Sequence, residues 1–101
     1  MRPVGVDISK WQANNLETHP NEHGVNFTVL HNKADFIFVR AGYGGSAGGA
    51  HLDERVHQYM RDLGPLLQQE PKPFSFYWYL RDDVNLNDQA NLFCSVINQY
   101  K

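Results

Sequence analysis

At 101 residues, 42% hydrophobic and 20% charged, the chain fits one folded domain rather than a disordered one. Nine Lys and Arg against eleven Asp and Glu leave a formal charge of -2, and no basic run offers a groove for nucleic acid or an anionic membrane. The length excludes a complete eight-stranded βα barrel, which takes ~250 residues and at least ~200. The single cysteine, Cys94, excludes an internal disulfide framework.

In chain order, Pro3-Val4-Gly5-Val6-Asp7-Ile8-Ser9 alternates strictly and predicts a short strand, with Val4, Val6 and Ile8 on one face and Gly5, Asp7 and Ser9 on the other. A polar stretch from Gln12 to Gly24 follows, and then Asn26 caps a short helix through Leu30. Ala34 to Ala41 is β-branched and aromatic, which predicts a second strand buried on both faces. The glycine-dense segment Gly42 to Gly49 reads as a mobile loop over a groove. From Asp53 the residues Val56, Tyr59, Met60, Leu63, Leu66 and Leu67 recur at helical spacing, with Asp53 and Glu54 near the positive helix end and Gly64-Pro65 ending or kinking the helix. Phe74 to Leu80 is a third strand, with Ser75, Tyr77 and Tyr79 on the face opposite Phe74, Phe76 and Trp78. Asn87 caps a last helix to Tyr100, with Ala90, Phe93 and Ile97 inward.

Alternating strands and helices of this order predict an α/β fold of three βα units with parallel strands. With no repeat or linker, residues 1–101 read as one domain, half of a barrel or a small open sheet. The longest apolar stretch, Phe36 to Gly42, contains Arg40 and is too short to cross a bilayer. Asp7, Ser9 and Lys10 interrupt any signal-peptide core after Met1, so synthesis in the cytoplasm is expected.

In parallel βα architectures, functional groups gather at the carboxyl ends of the strands. Asp7 falls there as a candidate catalytic carboxylate or a former of the Ser9-Lys10-Trp11 turn. Arg40, Tyr77 and Tyr79 converge on the same end, and one carboxylate, one guanidinium and phenol rings suit a sugar better than a phosphate or a metal. The alternative for the tyrosines is core filling.

Gly42-x-Gly44-x-x-Ala47 matches part of a dinucleotide fingerprint, but no helix opens directly after it. His19-Pro20-Asn21-Glu22-His23 matches an inverted zinc signature, but Pro20 and Gly24 leave barely a turn of helix for both imidazoles. No metal or cofactor is therefore expected, and His31, His51 and His57 are expected to be solvated. Asp82-Asp83 could in principle partner Asp7, though adjacent acids in a loop are more often turn formers.

Gly5-Val6-Asp7-Ile8-Ser9-Lys10-Trp11-Gln12 resembles the opening strand of glycoside hydrolase family 25, the Chalaropsis-type muramidases of bacteria, fungi and phage endolysins. Asp35 to Gly44 is similar to that family's second strand, and Asp53 falls where the family places an Asp at the start of the next helix. Ser75-Phe76-Tyr77-Trp78-Tyr79 is similar to its third strand, with Ser75 in place of a glycine, and Gln89-Ala90-x-x-Phe93 to its third helix.

The resemblance implies the N-terminal part of a TIM-like barrel and hydrolysis of the β-1,4 bond between N-acetylmuramic acid and N-acetylglucosamine. It implies Asp7 as the strand-one carboxylate and Tyr77 as a groove tyrosine, with Arg40, Tyr43 and Tyr79 beside it and a peptidoglycan glycan strand as partner. The family's general acid, the Glu of an Asp-x-Glu strand motif, has no counterpart here, since Asp53-Glu54 and Asp88-Gln89 stand at helix starts. Little lytic activity is therefore expected of the chain, because a lost general acid commonly costs ~10²–10⁴-fold in rate. The alternative is a wall-binding module without chemistry. Three strands would leave open edges, so a homo-oligomer completing the sheet is expected.

Overall fold

The computed structural model describes residues 4–45 and 49–100. It is an α/β fold with one mixed sheet of four strands, β1 (Gly5–Ile8), β2 (Phe36–Gly44), β3 (Ala50–Leu52) and β4 (Phe74–Tyr79). Three α-helices, α1 (Phe27–Lys33), α2 (Val56–Gln69) and α3 (Leu86–Gln99), lie between and after the strands.

β1 and β4 run parallel to β2, with Asp7 opposite Phe38 and Phe38 opposite Ser75. β3 is antiparallel to β2, pairing Gly42 with Leu52 and Gly44 with Ala50. Since Gly42 and Tyr43 also pair with Trp78 and Tyr79 on the β4 side, β3 occupies the same edge of β2 as β1, end to end with it. The expectation of parallel strands thus holds for three of them and fails for β3. Glycines contribute no side-chain pattern, so a hairpin built from Gly42-Tyr43-Gly44 reads as a loop although its backbone pairs fully. A side chain at Gly42 would overlap the His51 carbonyl and the Trp78 ring, so the close approach of three strands there requires glycine. Ala47, the last position of the partial dinucleotide pattern, and the tip of the expected loop lie outside the described residues, as do Pro3 and the N-terminal residues before it.

Ile8, Ile37, Val39 and Ala41, with Phe74, Phe76 and Trp78 beside them, face Phe27, Val56, Tyr59, Leu63 and Val96 of the three helices in one core. Strand alternation puts Asp7, Phe38, Arg40, Ser75, Tyr77 and Tyr79 on the other face, and none of the three helices covers it. Phe38 is 39% exposed while Arg40 on the same face is buried, so that face of β2 is open at Phe38 and closed further along, where the sequence reading expects burial on both faces throughout. Asp7 is likewise exposed and bears no cost of burial.

α1 and α3 begin where side chains cap them, and α2 begins without a side-chain cap. Asn26 accepts from the Val29 amide at 3.1 Å, as expected. α2 starts at Val56 rather than Asp53, because Asp53 is drawn inward as a hydrogen-bond acceptor. It continues through Pro65 to Gln69, held by Leu63 before the proline and by Leu66 and Leu67 after it. α3 is capped by Asn85, not Asn87, through the Asp88 amide at 3.1 Å. Its inward stripe is Gln89, Phe93, Val96 and Tyr100, while Ala90 and Ile97 face out. A buried glutamine hid that phase from a reading based on apolar spacing.

The polar loop between β1 and α1 is anchored by Arg55, which is fully buried. Its guanidinium donates to the carbonyls of Asn14 at 2.8 Å, His19 at 2.7 Å and Pro20 at 3.3 Å. His23 accepts the Val25 amide on Nδ1 at 2.9 Å and meets Asp62 through Nε2 at 2.5 Å, so both its nitrogens are occupied by protein. His31 is buried, not solvated, with Nε2 donating to the Glu70 carbonyl at 2.8 Å. His51 and His57 are exposed.

Candidate functional site

The parallel strands end in an open groove of about 440 Å³. Ser9, Lys10 and Trp11 from the turn after β1, Arg40, Tyr43 and Gly44 of β2, Tyr77 and Tyr79 of β4, and Arg81 beyond it form the lining. All four residues expected to bind substrate, Arg40, Tyr43, Tyr77 and Tyr79, are therefore brought together. Asp7 is not in the lining. Its row across the sheet is Asp7, Phe38 and Ser75, and the groove row of Arg40 and Tyr77 lies two residues further along. Asp7 thus stands on the groove's face one step beneath its floor, close enough for its charge to act on Tyr77.

The turn that supplies Lys10 and Trp11 is set by Ser9 and Gln12. Ser9 donates its amide to Gln12 Oε1 at 2.7 Å and its hydroxyl accepts from the Trp11 amide at 3.3 Å, a reciprocal cap over one 3-10 turn, Lys10–Gln12. Tyr59, fully buried, donates to the Ser9 carbonyl at 2.7 Å and fixes the turn from below. Trp11 is left 74% exposed at the groove rim, facing outward like Tyr79 at 62%.

Asp53 ties the floor together. Its Oδ2 accepts from Arg40 Nε at 2.8 Å and from the Lys10 amide at 3.0 Å, and its Oδ1 from the Arg55 amide at 2.9 Å. Arg40 lies over the Tyr43 ring at 4.7 Å, and its Nη2 is buried without a hydrogen-bond partner among the described residues. Arg40 is thus first a strut between β2 and the segment leading into α2, and its flat cation forms the floor beneath Tyr43.

Lys10, Tyr43 and Glu54 make a second cluster at the rim. The Lys10 ammonium lies 3.2 Å from Glu54 and 3.4 Å from the Tyr43 hydroxyl, which donates to Glu54. Burial alone would raise the Glu54 carboxyl, but the hydrogen bonds from Tyr43 and Lys10 outweigh it and hold it below its ordinary value. Burial would lower Lys10, and its bonds to Glu54 and Tyr43 reverse that to a net rise. Tyr43 is raised by burial and by Glu54, and Tyr77 by burial and by Asp7. Both phenols therefore stay protonated, able to donate and accept at neutral pH.

Among the described residues no carboxylate lines the groove, Glu54 standing at its rim. The exposed rings of Trp11 and Tyr79, the three phenols of Tyr43, Tyr77 and Tyr79, and the cationic groups of Lys10, Arg40 and Arg81 suit flat polyhydroxylated rings, which stack on aromatic faces and exchange hydrogen bonds at their edges. Among the described residues no cluster of three His, Cys, Asp or Glu is arranged to hold a metal ion. Asp82 lies in the turn after β4, and among the described residues no hydrogen bond joins it to Asp7. Ser9, Lys10, Trp11 and Arg81 were not picked out as binding residues from the sequence. The rule that segments following parallel strands carry function would have reached all four, since each directly follows β1 or β4.

The site thus belongs to an α/β protein with an aromatic, donor-rich groove at the carboxyl ends of its parallel strands. Comparison of the chain with family models, curated proteins and solved structures yields no match.

Proposed function

We propose that the groove binds a glycan strand of peptidoglycan, and that the chain is the N-terminal portion of a muramidase resembling glycoside hydrolase family 25. Its three parallel strands and three helices would then be consecutive βα units of a TIM-like barrel wall. The carrying observation is the convergence of Arg40, Tyr43, Tyr77 and Tyr79 on one groove with Trp11 at its rim. Trp11 and Tyr79 stack on sugar faces, and Tyr43, Tyr77, Lys10 and Arg81 meet hydroxyl and acetamido groups.

Asp7 is the carboxylate of the reaction on this reading. Glycoside hydrolysis takes a proton donor as well as a second carboxyl or base, and among the described residues no carboxylic acid in the groove lining supplies the donor. Glu54, the nearest alternative, is held ionised by Tyr43 and Lys10. The chain accordingly retains glycan and cleaves it little or not at all, which also accommodates a purely wall-binding role.

Incubation with insoluble peptidoglycan tests both parts. The protein is expected to sediment with the wall material while releasing no more reducing ends than a buffer control. Release abolished by Asp7→Asn would overturn the inactive part, and failure to sediment would overturn the binding part.

A further inference from the structure

Residues 13–26, between the turn after β1 and α1, form neither helix nor strand, and a stretch of that length is ordinarily either disordered or held for a purpose. Here it is held. The Asn14 amide donates to the His23 carbonyl at 2.8 Å, and the Gln58 side chain donates to the Pro20 carbonyl at 2.8 Å. The fully buried Arg55 spends its guanidinium on the carbonyls of Asn14, His19 and Pro20 and on Gln58 Oε1 at 2.6 Å. Among the described residues no carboxylate lies within ion-pair distance of that guanidinium, and its Nε has no hydrogen-bond partner. A buried charge without a counter-ion is costly, and what this one secures is the shape of a polar surface loop.

That shape is a second open groove, of about 460 Å³, lined by Ala13, Asn14, Asn15, Leu16 and Glu17 and sharing Lys10 and Trp11 with the first. Trp11 is thus the common wall of two grooves. In the second, Asn15 takes the Glu17 amide on Oδ1 at 2.8 Å, while its Nδ2 donors and the Glu17 carboxylate meet no protein partner among the described residues. Leu16, 36% exposed, adds apolar surface beside them.

We propose that a glycan strand lying in the first groove continues over Trp11 into the second, where Asn15 and Glu17 hydrogen-bond its hydroxyl and acetamido groups and Leu16 covers a ring face. This rests on the glycan reading of the first groove, and continuity selects the occupant. A linear strand stacked on Trp11 and leaving the first groove on that side runs onto the second. Because Arg55 already fixes the loop, the strand meets it without paying to order it.

Calorimetry of the full chain with peptidoglycan glycan fragments freed of peptide, a disaccharide and a hexasaccharide, tests this. Wild type is expected to bind the hexasaccharide at least about tenfold tighter than the disaccharide. Asn15→Asp/Leu16→Ala keeps the acceptor for the Glu17 amide and alters no residue of the first groove. It is expected to weaken hexasaccharide binding about tenfold and to leave the disaccharide Kd unchanged. In wild type, the Asn15 side-chain amide signals are expected to shift in nuclear magnetic resonance spectra as the hexasaccharide is added.

Equal hexasaccharide affinity in wild type and variant, an equal loss for both fragments, or Asn15 signals that stay unmoved at saturation would overturn the second groove and leave the glycan reading of the first in place. Wild type binding neither fragment would overturn both.

Discussion

Asp53 does more for the groove than any residue lining it. With its carboxylate taking Arg40, Lys10 and Arg55 as donors, Asp53→Ala leaves the buried Arg40 guanidinium without its counter-ion. Breaking one side of a buried pair costs about 3–5 kcal/mol, and urea denaturation is expected to show a loss of that size with the unfolding slope unchanged. Arg40 was legible as a residue at the end of a strand, but its ion pair was not, because Asp53 reads as an ordinary first-turn acid of a helix.

Glu54 gives a pH signature. Its folded carboxyl lies below its ordinary 4.5, so its contribution to stability is present above that value and lost as pH falls through the folded one. Wild type is therefore expected to exceed Glu54→Gln in stability near neutrality by under about 1 kcal/mol, since the side chain is one-third exposed and solvent screens the pair. The difference should shrink as pH falls below 4.5 and vanish once pH has passed the lower folded value. A difference that persists in acid would show that Glu54 acts through packing instead.

At the scale of elements, β4 was legible to within a residue and β1 was found but read too long, as Pro3 to Ser9 for Gly5–Ile8, because alternation or aromatic density marks a strand directly and its ends less well. β2 was legible at its start and not at its end, where Gly42 and Gly44 pair without leaving a pattern and the register shifts between Arg40 and Gly42. The joint between β4 and α3 depends on a side chain that apolar periodicity ignores. Gln89 accepts from the Trp78 indole and the Arg81 amide, both at 3.1 Å, and donates to the Arg81 carbonyl at 2.8 Å and the Val84 carbonyl at 3.2 Å. Gln89→Ala orphans these groups and is expected to cost about 2–3 kcal/mol. Thermal unfolding checks the loss, and a change within error would mean that water replaces the amide.

At the scale of the molecule, the sheet separates stability from recognition. One face holds the core with all three helices, while the other presents Asp7, Tyr77 and Tyr79 and remains open. No helix among the described residues is long and apolar enough to cross a membrane. The candidate site was legible in part: Arg40, Tyr43, Tyr77 and Tyr79 stand at the carboxyl ends of parallel strands, which gather side chains whatever the chemistry, whereas Ser9, Lys10, Trp11 and Arg81 carry no such signal of their own. Its depth was not: Asp7 sits a step below the groove, and only the registers across β1, β2 and β4 show that.

Retention on insoluble peptidoglycan, compared between wild type and Trp11→Ala/Tyr79→Ala, tests the central claim most directly. Both rings are exposed, so the double variant should keep its fold by circular dichroism. Each lost stacking face should weaken retention roughly tenfold. Equal retention of the two proteins, or no retention of either, would contradict the assignment of this groove to glycan.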